Sequence, residues 1–213
     1  MEIQRFEFNL FGENTYIIWD AETLEAAVVD PGMCDEAENA VFDRFIASGR
    51  LSLKAILLTH MHVDHTFGIN HVLDKYSLVT IYAHPADAPL GRTRDEQARM
   101  FHLPYRLSPV VADRLVNDGD AVALGKEKIE ALHAPGHSPG SLLYYVPASG
   151  FVLTGDVLFR GSIGRTDLPG GSHTQLLKSI ADKIVKLPPS TIVYPGHGPS
   201  TTVGEELAHN PFL

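Results

Sequence analysis

Cysteine is nearly absent from this chain of 213 residues: Cys34 stands alone. One thiol can close no internal disulfide and build no thiolate cage around a metal. That excludes a disulfide-stapled secreted scaffold and a cysteine zinc finger, and makes a reducing cytoplasm the expected location. Basic charge is also scarce. Lys and Arg number 17 against 26 Asp and Glu, a formal net charge of −9, whereas a sequence-independent nucleic-acid binder needs a basic face to neutralise phosphates. Long apolar runs are missing, and none approaches the ~18 residues a membrane helix requires. The opening MEIQRFEFNLFGENTY places Glu2, Arg5 and Glu7 where a secretory leader needs unbroken apolar sequence. Neither a nucleic acid nor a membrane is therefore an expected partner. The remaining composition, 44% hydrophobic and 20% charged, is that of a globular protein, and the length suits one domain over 1–213. What the chain holds in excess is histidine, with eleven.

The N-terminal third predicts short strands at Ile3–Phe8, Thr15–Trp19 and Ala26–Val29, the last ending at Asp30-Pro31-Gly32. Asp35 followed by Glu38 is a capping-box-like start for a helix that carries Val41, Phe42 and Phe45 at helical spacing and stops at Gly49. Ala55–Leu58 is too brief for a helix and predicts a central strand ending at Thr59-His60. A helix over Ile69–Tyr76 and a strand over Leu78–Ala83 follow. From about 84 to 120 prolines at 85, 89, 104 and 109 interrupt any long element, which predicts an irregular, partly helical excursion. Strands are expected again at Ala121–Leu124, Lys128–His133, Leu142–Val146, Phe151–Thr154 and Thr191–Tyr194, with a helix over Gln175–Leu187. Two strand-rich halves, each with helices, imply two packed sheets with helices outside, an α/β class.

The chemistry begins at Thr59-His60-Met61-His62-Val63-Asp64-His65. On a chain that stays extended past its strand, His60 and His62 point to the same side, roughly 6–7 Å apart, and can grip one cation between them. Asp64 and His65 follow as the chain turns and can face a second position nearby. Three further stretches each place one metal-binding residue type just beyond a predicted strand end. They are Ala134-Pro135-Gly136-His137-Ser138-Pro139-Gly140, Leu153-Thr154-Gly155-Asp156 and Tyr194-Pro195-Gly196-His197-Gly198-Pro199. Such positions are held stiffly on one side and open on the other, as a site requires. Ser138 and Cys34 have no evident partner base and are not expected to be nucleophiles.

Taken together, T-H-x-H-x-D-H, P-G-H-S-P-G, T-G-D and P-G-H-G-P resemble the motif set of the metallo-β-lactamase superfamily, in that family's order from 59 to 199. The stretch LFRGSIGRTDLPGG at 158–171 and the ending HNPFL are similar to single-domain, glyoxalase-II-like bacterial hydrolases. The resemblance implies an αββα four-layer sandwich with a binuclear metal site at one edge. Carried over residue by residue, it gives His60, His62 and His137 to one cation and Asp64, His65 and His197 to the other, with Asp156 bridging. Zinc suits this imidazole and carboxylate set, with iron or manganese as alternatives.

The same resemblance implies hydrolysis of a small-molecule thioester of the hydroxyacylglutathione type, by a water that the metals acidify, with Asp64 orienting that water or taking its proton. Arg165 is the expected contact for a substrate carboxylate. Longer family members hold glutathione partly with a C-terminal helical domain. The residues after His197 are too few for one, so the thiol carrier stays open. Arg92, Arg94, Arg99 and Arg106 are expected on a solvated helix face. Two other functions share these features. One is a mononuclear-iron persulfide dioxygenase, which carries a stretch like GRTD at 164–167 but tends to PAHDY where this chain has PGHGP. The other is a noncatalytic metal-binding domain, which should lack ligands. β-Lactam and RNA hydrolysis, also known on the fold, fit poorly with the acidic balance and the polar N-terminus.

Overall fold

The computed structural model describes residues 1–213. Strands β1 (Glu2–Phe8), β2 (Glu13–Trp19), β3 (Glu25–Val29), β4 (Ser52–Leu57), β5 (Thr80–Ala83) and β6 (Arg114–Leu115) form one sheet in that order. The second half of the chain supplies β7 (Ala121–Leu124), β8 (Glu127–His133), β9 (Leu142–Val146), β10 (Phe151–Gly155), the small hairpin β11 (Leu158–Phe159) with β12 (Ser162–Ile163), β13 (Ile192–Pro195) and β14 (Thr201–Thr202). The hairpin aside, these make a second sheet ordered β14-β13-β10-β9-β8-β7. The helices are α1 (Glu36–Ser48), α2 (Ile69–Lys75), α3 (Ala88–Arg92), α4 (Arg94–Met100), α5 (His173–Ser179) and α6 (Val203–His209).

Strand alternation sorts the side chains into layers. Ile17, Val28 and Ile56 face outward from the first sheet onto Phe42 and Ile46 of α1 and Ile69 and Val72 of α2. Their neighbours Ile18, Val29 and Leu57 face the other way and meet Leu142, Tyr144 and Leu153 of the second sheet. Leu143, Val152 and Val193 leave that sheet's far side to pack on Leu176, Ile180 and Ile184. The result is an αββα sandwich. Each fully buried aliphatic side chain contributes about 1.5–3 kcal/mol of transfer free energy, so packing between layers, rather than intrinsic propensity, holds strands as short as β5.

Local signals and structure agree closely at α1, where Asp35 Oδ1 accepts from the Glu38 amide at 2.9 Å and Gly49 closes the helix. They part in four places. The helix expected to Leu187 is α helix only to Ser179 and continues as a π-helical turn over Ile180–Ile184. Leu78, expected in a strand, turns the chain with φ 64° and is exposed. The 84–120 excursion is irregular and partly helical, but it also returns β6 to the first sheet, parallel to β5. Beyond Pro199, where no element was expected, lie β14 and α6.

The two sheets are fastened to one another at one end. From the first sheet, the Asn14 amide donates to the Gly196 carbonyl at 2.7 Å, and Asn14 Nδ2 and the Tyr16 hydroxyl donate to the Pro195 carbonyl at 2.9 and 2.7 Å. From the second, the Leu142 amide and the Tyr144 hydroxyl donate to the Thr59 and Leu58 carbonyls at 2.7 and 3.0 Å. The ends of β4 and β13 are thus fixed across the sandwich, and β10 lies parallel to β13, joined by Gly196 N–H to Gly155 C=O at 2.8 Å. These are the strand ends that carry His60, Asp156 and His197.

On the outer side, Asp43 of α1 accepts from Lys75 Nζ at 2.6 Å, from the Tyr76 hydroxyl at 2.6 Å and from His71 Nε2 at 3.0 Å, tying α1 to α2. Burial raises the Asp43 carboxyl, but these three partners outweigh it and hold the folded pKa below the ordinary value. A depressed carboxylate pKa stabilises the fold above the unfolded pKa of about 3.9 and stops doing so as pH falls through the folded value. Asp43→Asn should therefore cost roughly 1–3 kcal/mol at pH 7. Urea unfolding should show the gap between variant and wild type closing below about pH 4.

Candidate metal centre

His60 lies just past β4, and the chain stays extended through His62 before a single 3₁₀ turn at Val63–His65. The His60 and His62 rings stand 4.8 Å apart at nearly right angles, and that of His137, from the loop after β8, sits 4.7 Å from His60 and 4.6 Å from His62. Their ring nitrogens converge: His137 Nε2 is 2.8 Å from His62 Nδ1 and 3.2 Å from His60 Nε2. A second group forms beside the first, in which Asp64 Oδ2 lies 3.7 Å from His65 Nε2 and 3.4 Å from His197 Nε2. Asp156, one residue past β10, reaches both groups. Its Oδ2 is 3.6 Å from His137 Nε2 and 3.6 Å from His197 Nε2, and its Oδ1 is 3.4 Å from His65 Nε2.

The far nitrogens of these rings say which atoms are free to bind. His65 Nδ1 donates to Asp30 Oδ2 at 3.0 Å, His137 Nδ1 to the Arg165 carbonyl at 2.8 Å, and His197 Nδ1 to the Phe11 carbonyl at 3.2 Å. Thr59 Oγ1 gives its hydrogen to Asp30 Oδ2 at 2.5 Å, so it accepts from His60 Nδ1 at 3.0 Å. In the neutral form all four rings then present a bare Nε2 to the centre. Two bare nitrogens at 3.2 Å repel, yet a tetrahedral zinc with Zn–N of about 2.0–2.1 Å would place its ligands only about 3.3 Å apart. His65 Nε2 and Asp156 Oδ1 are buried with no hydrogen-bond partner. Donor spacing, tautomers and orphaned atoms all fit divalent cations.

The electrostatics fit as well. Burial, reinforced by the surrounding imidazoles, holds His60 far below its ordinary pKa, and burial brings His62 down to about 3 with His137 adding to the effect. Both are neutral donors at physiological pH. Burial alone would raise Asp64 and Asp156, but the adjacent histidines, His65 foremost, hold both carboxyls below the usual range, so they are anionic, and the two carboxylates in turn raise His65 and His197. Close packing leaves no room for side chains at the turns. A Cβ on Gly155, whose φ is +48°, would sit 2.3 Å from Thr59 Oγ1, and one on Gly196 would lie 2.3 Å from Asp156 Oδ1.

A profile of the Metallo-beta-lactamase superfamily matches residues 9–197. The chain belongs to that superfamily. It is 37% identical to the hydroxyacylglutathione hydrolase GloC of Haemophilus influenzae over 214 residues, covering 100% of this chain and 98% of the relative. Among solved structures it is similar to the BLEG-1 B3 metallo-beta-lactamase (TM-score 0.90, 36% identity, 100% and 99% of the two chains). It is also similar to TTHA1623 in a di-iron-bound form (0.86, 37%, 99% and 100%) and to ETHE1 from Myxococcus xanthus (0.78, 27%, 99% and 84%). Superfamily members are mostly metal-dependent hydrolases.

On this metallo-beta-lactamase frame the seven expected ligand residues all come together. Arg165 lies on the cleft wall, its guanidinium in a two-pronged pair with Asp167 at 2.7 Å on each arm and more than half exposed. Its carbonyl is the part that touches the site, as the acceptor for His137. Ser138 is buried, donating to Asp87 Oδ2 at 2.8 Å, and Cys34 Sγ accepts from the Tyr105 hydroxyl at 3.4 Å with its pKa raised by burial. Neither faces the cleft as a nucleophile.

Not all the supports around the site were evident from sequence. Asp30, in the left-handed region at φ 50°, fixes Thr59 and His65 at once. Asp87 joins the two histidine loops by accepting from the Met61 amide at 3.0 Å, the Gly140 amide at 2.6 Å and Ser138. His84 and His133 stack at 3.8 Å, and His133 Nε2 holds the Pro139 carbonyl at 2.9 Å. Asp30 and Asp87 act on partners 26 to 53 residues away, which the sequence does not show, whereas His84 and His133, near expected strand ends, are the supports it does suggest.

Arg94 overturns an expectation. Rather than lining a solvated helix face with Arg99 and Arg106, it is fully buried, donating from Nε to Thr66 Oγ1 at 3.1 Å and from its two amino groups to the Thr66 and Ser108 carbonyls at 2.5 and 2.7 Å. Burial lowers its pKa to about 10. It braces the turn directly after His65, because only a long fork of donors can satisfy two carbonyls from separate loops. Arg94→Met should lower unfolding free energy by roughly 2–5 kcal/mol in urea melts, and Arg94→Lys should recover only part of that loss.

Proposed function

We propose that this chain is a metal-dependent hydrolase of small thioesters of the hydroxyacylglutathione type. In this reading His60, His62 and His137 hold one divalent cation, Asp64, His65 and His197 hold a second, and Asp156 bridges them. The observation that carries the reading is the second group. Its nitrogens and carboxylate oxygens converge to 3.4–3.7 Å, more loosely than the first group, and a one-metal centre does not require them to converge at all. Zinc matches the donor set, and the di-iron form of TTHA1623 makes iron the alternative. When bound, such cations lower the pKa of water from about 15.7 towards ~7 and polarise a carbonyl oxygen.

The protein's own groups do the rest. Phe11, Phe101 and Phe159 wall a cleft of about 380 Å³ above the centre and limit its water. Asp64, ionised and on the cleft wall, is the acceptor for the proton released from the attacking water. Asp30, Thr59 and the carbonyls of Phe11 and Arg165 keep the imidazoles in one tautomer and orientation throughout. A thioester suits a cleft with no free general acid, because thiolate leaves without prior protonation. Similarity to GloC supports this substrate class.

Two other substrate classes have specific support: a β-lactam amide through BLEG-1, and a persulfide oxidised at one iron through ETHE1. Metal analysis of the purified protein, paired with lactoylglutathione, glutathione persulfide and a cephalosporin, separates them. Two metals per chain and thioester turnover are expected; one iron with persulfide consumption would overturn the proposal. Asp156→Ala should leave at most one metal per chain and lower turnover by about 100-fold or more, while circular dichroism stays native. A variant that kept both metals and full rate would remove the bridging role.

A further inference from the structure

Behind the cleft lies a second cavity, of about 230 Å³, that opens on the His60/His62/His137 side through His62, Phe101 and Leu168, residues shared with the cleft. Its other walls are Leu90, Pro169 and one side of α4. The polar side chains there are already committed. Thr93 Oγ1 donates to the Pro89 carbonyl at 3.0 Å, and Gln97 donates to the Leu90 carbonyl at 2.9 Å while accepting from the Val63 amide at 3.0 Å. Glu96 stands exposed at the rim and makes no ion pair.

Resting on the thioester reading above and departing from it in the acyl part alone, we propose that this cavity is the acyl subsite, and that it takes an uncharged apolar acyl group, a short aliphatic chain or an aryl ring, in preference to a hydroxyacyl or dicarboxylic one. Size supports this: the cavity is about one and a half times the ~150 Å³ void known to hold benzene, so a lactoyl group would leave much of it unfilled. Polarity supports it, because the side-chain hydrogens of Thr93 and Gln97 are already given to backbone carbonyls, so a substrate hydroxyl would find no donor on either and would otherwise meet the apolar walls of Leu90, Met100, Phe101, Leu168 and Pro169. Charge supports it, because the Glu96 carboxylate repels an acyl group that ends in a second carboxylate. The thiol carrier is left to the larger cleft, beside His197 and Asp64, where the leaving sulfur would emerge.

The test is a series of thioesters of one thiol, from acetyl to octanoyl, with lactoyl, benzoyl and glutaryl, measured on the metal-loaded enzyme. kcat/KM should climb about threefold to fourfold per methylene up to hexanoyl, following the burial of each CH₂. Hexanoyl and benzoyl should exceed lactoyl, and glutaryl should be poorest. Met100→Trp, which fills the cavity from a half-exposed position, should cut the hexanoyl-to-acetyl ratio at least tenfold. Glu96→Lys should raise the glutaryl-to-hexanoyl ratio by a similar factor. Independently of turnover, toluene added to metal-free protein should shift the methyl resonances of Leu90 and Leu168, and less so in Met100→Trp. Thioester turnover with a flat acyl profile, or with lactoyl preferred, would overturn the acyl subsite and leave the hydrolase standing. No turnover of any thioester would overturn the hydrolase reading and this inference with it. Unmoved methyl resonances would count against the cavity itself.

Discussion

Bare imidazole nitrogens and carboxylate oxygens, crowded within a few ångströms and turned inward, are the constraint on which this structure depends. Bare nitrogens repel one another and every such group loses hydration on burial, so the attraction of His65 and His197 for Asp64 and Asp156 does not by itself hold the whole cluster together. The chain holds them by other means. Cross-sheet hydrogen bonds from Asn14, Tyr16 and Tyr144 fasten the ends of β4 and β13, and the parallel pairing of β10 with β13 sets Asp156 beside His197. Three apolar layers then make those strands rigid. The stability of the sandwich sustains a locally unfavourable centre, a common arrangement at functional sites.

The ring of supports around the centre has its own logic. Each histidine whose far nitrogen is tied to an acceptor offers only the other nitrogen inward, so tautomer and aim are decided together. Asp30 serves both groups of ligands, through Thr59 to His60 and directly to His65. Asp87 spans the two histidine loops that flank the first group. Arg94, lacking any carboxylate partner, spends its charge on backbone carbonyls behind the turn that carries Asp64 and His65. The cleft itself has little basic character, since Arg165 is engaged by Asp167. Shape and the apolar faces of Phe11, Phe101 and Phe159 dominate its walls instead.

Much of this was legible in the chain. The β-branched and aromatic run Thr15–Trp19 and the brief apolar run Ala26–Val29 read as strands, Asp35 and Gly49 bounded α1, and the histidine and aspartate motifs fell just past strand ends. Where local patterns misled, a tertiary demand had won. The π-helical turn at Ile180–Ile184 keeps Ile180 and Ile184 on the second sheet. Arg94 looked like a solvated charge because the carbonyls it satisfies belong to residues 66 and 108, from loops that sequence does not show to be adjacent. Arg165 stands on the cleft wall, and its pairing with Asp167 is a contact that the sequence does not show.

By itself the sequence determined which residue types could bind metal and that each would stand at the rigid end of a strand, because ligand chemistry and strand period are local properties. Only the tertiary structure decided how closely the two groups approach, which nitrogen each ring presents, and that an apolar cavity adjoins them. Those depend on partners up to 186 residues apart, such as Phe11 and His197, which meet only once the two sheets have packed.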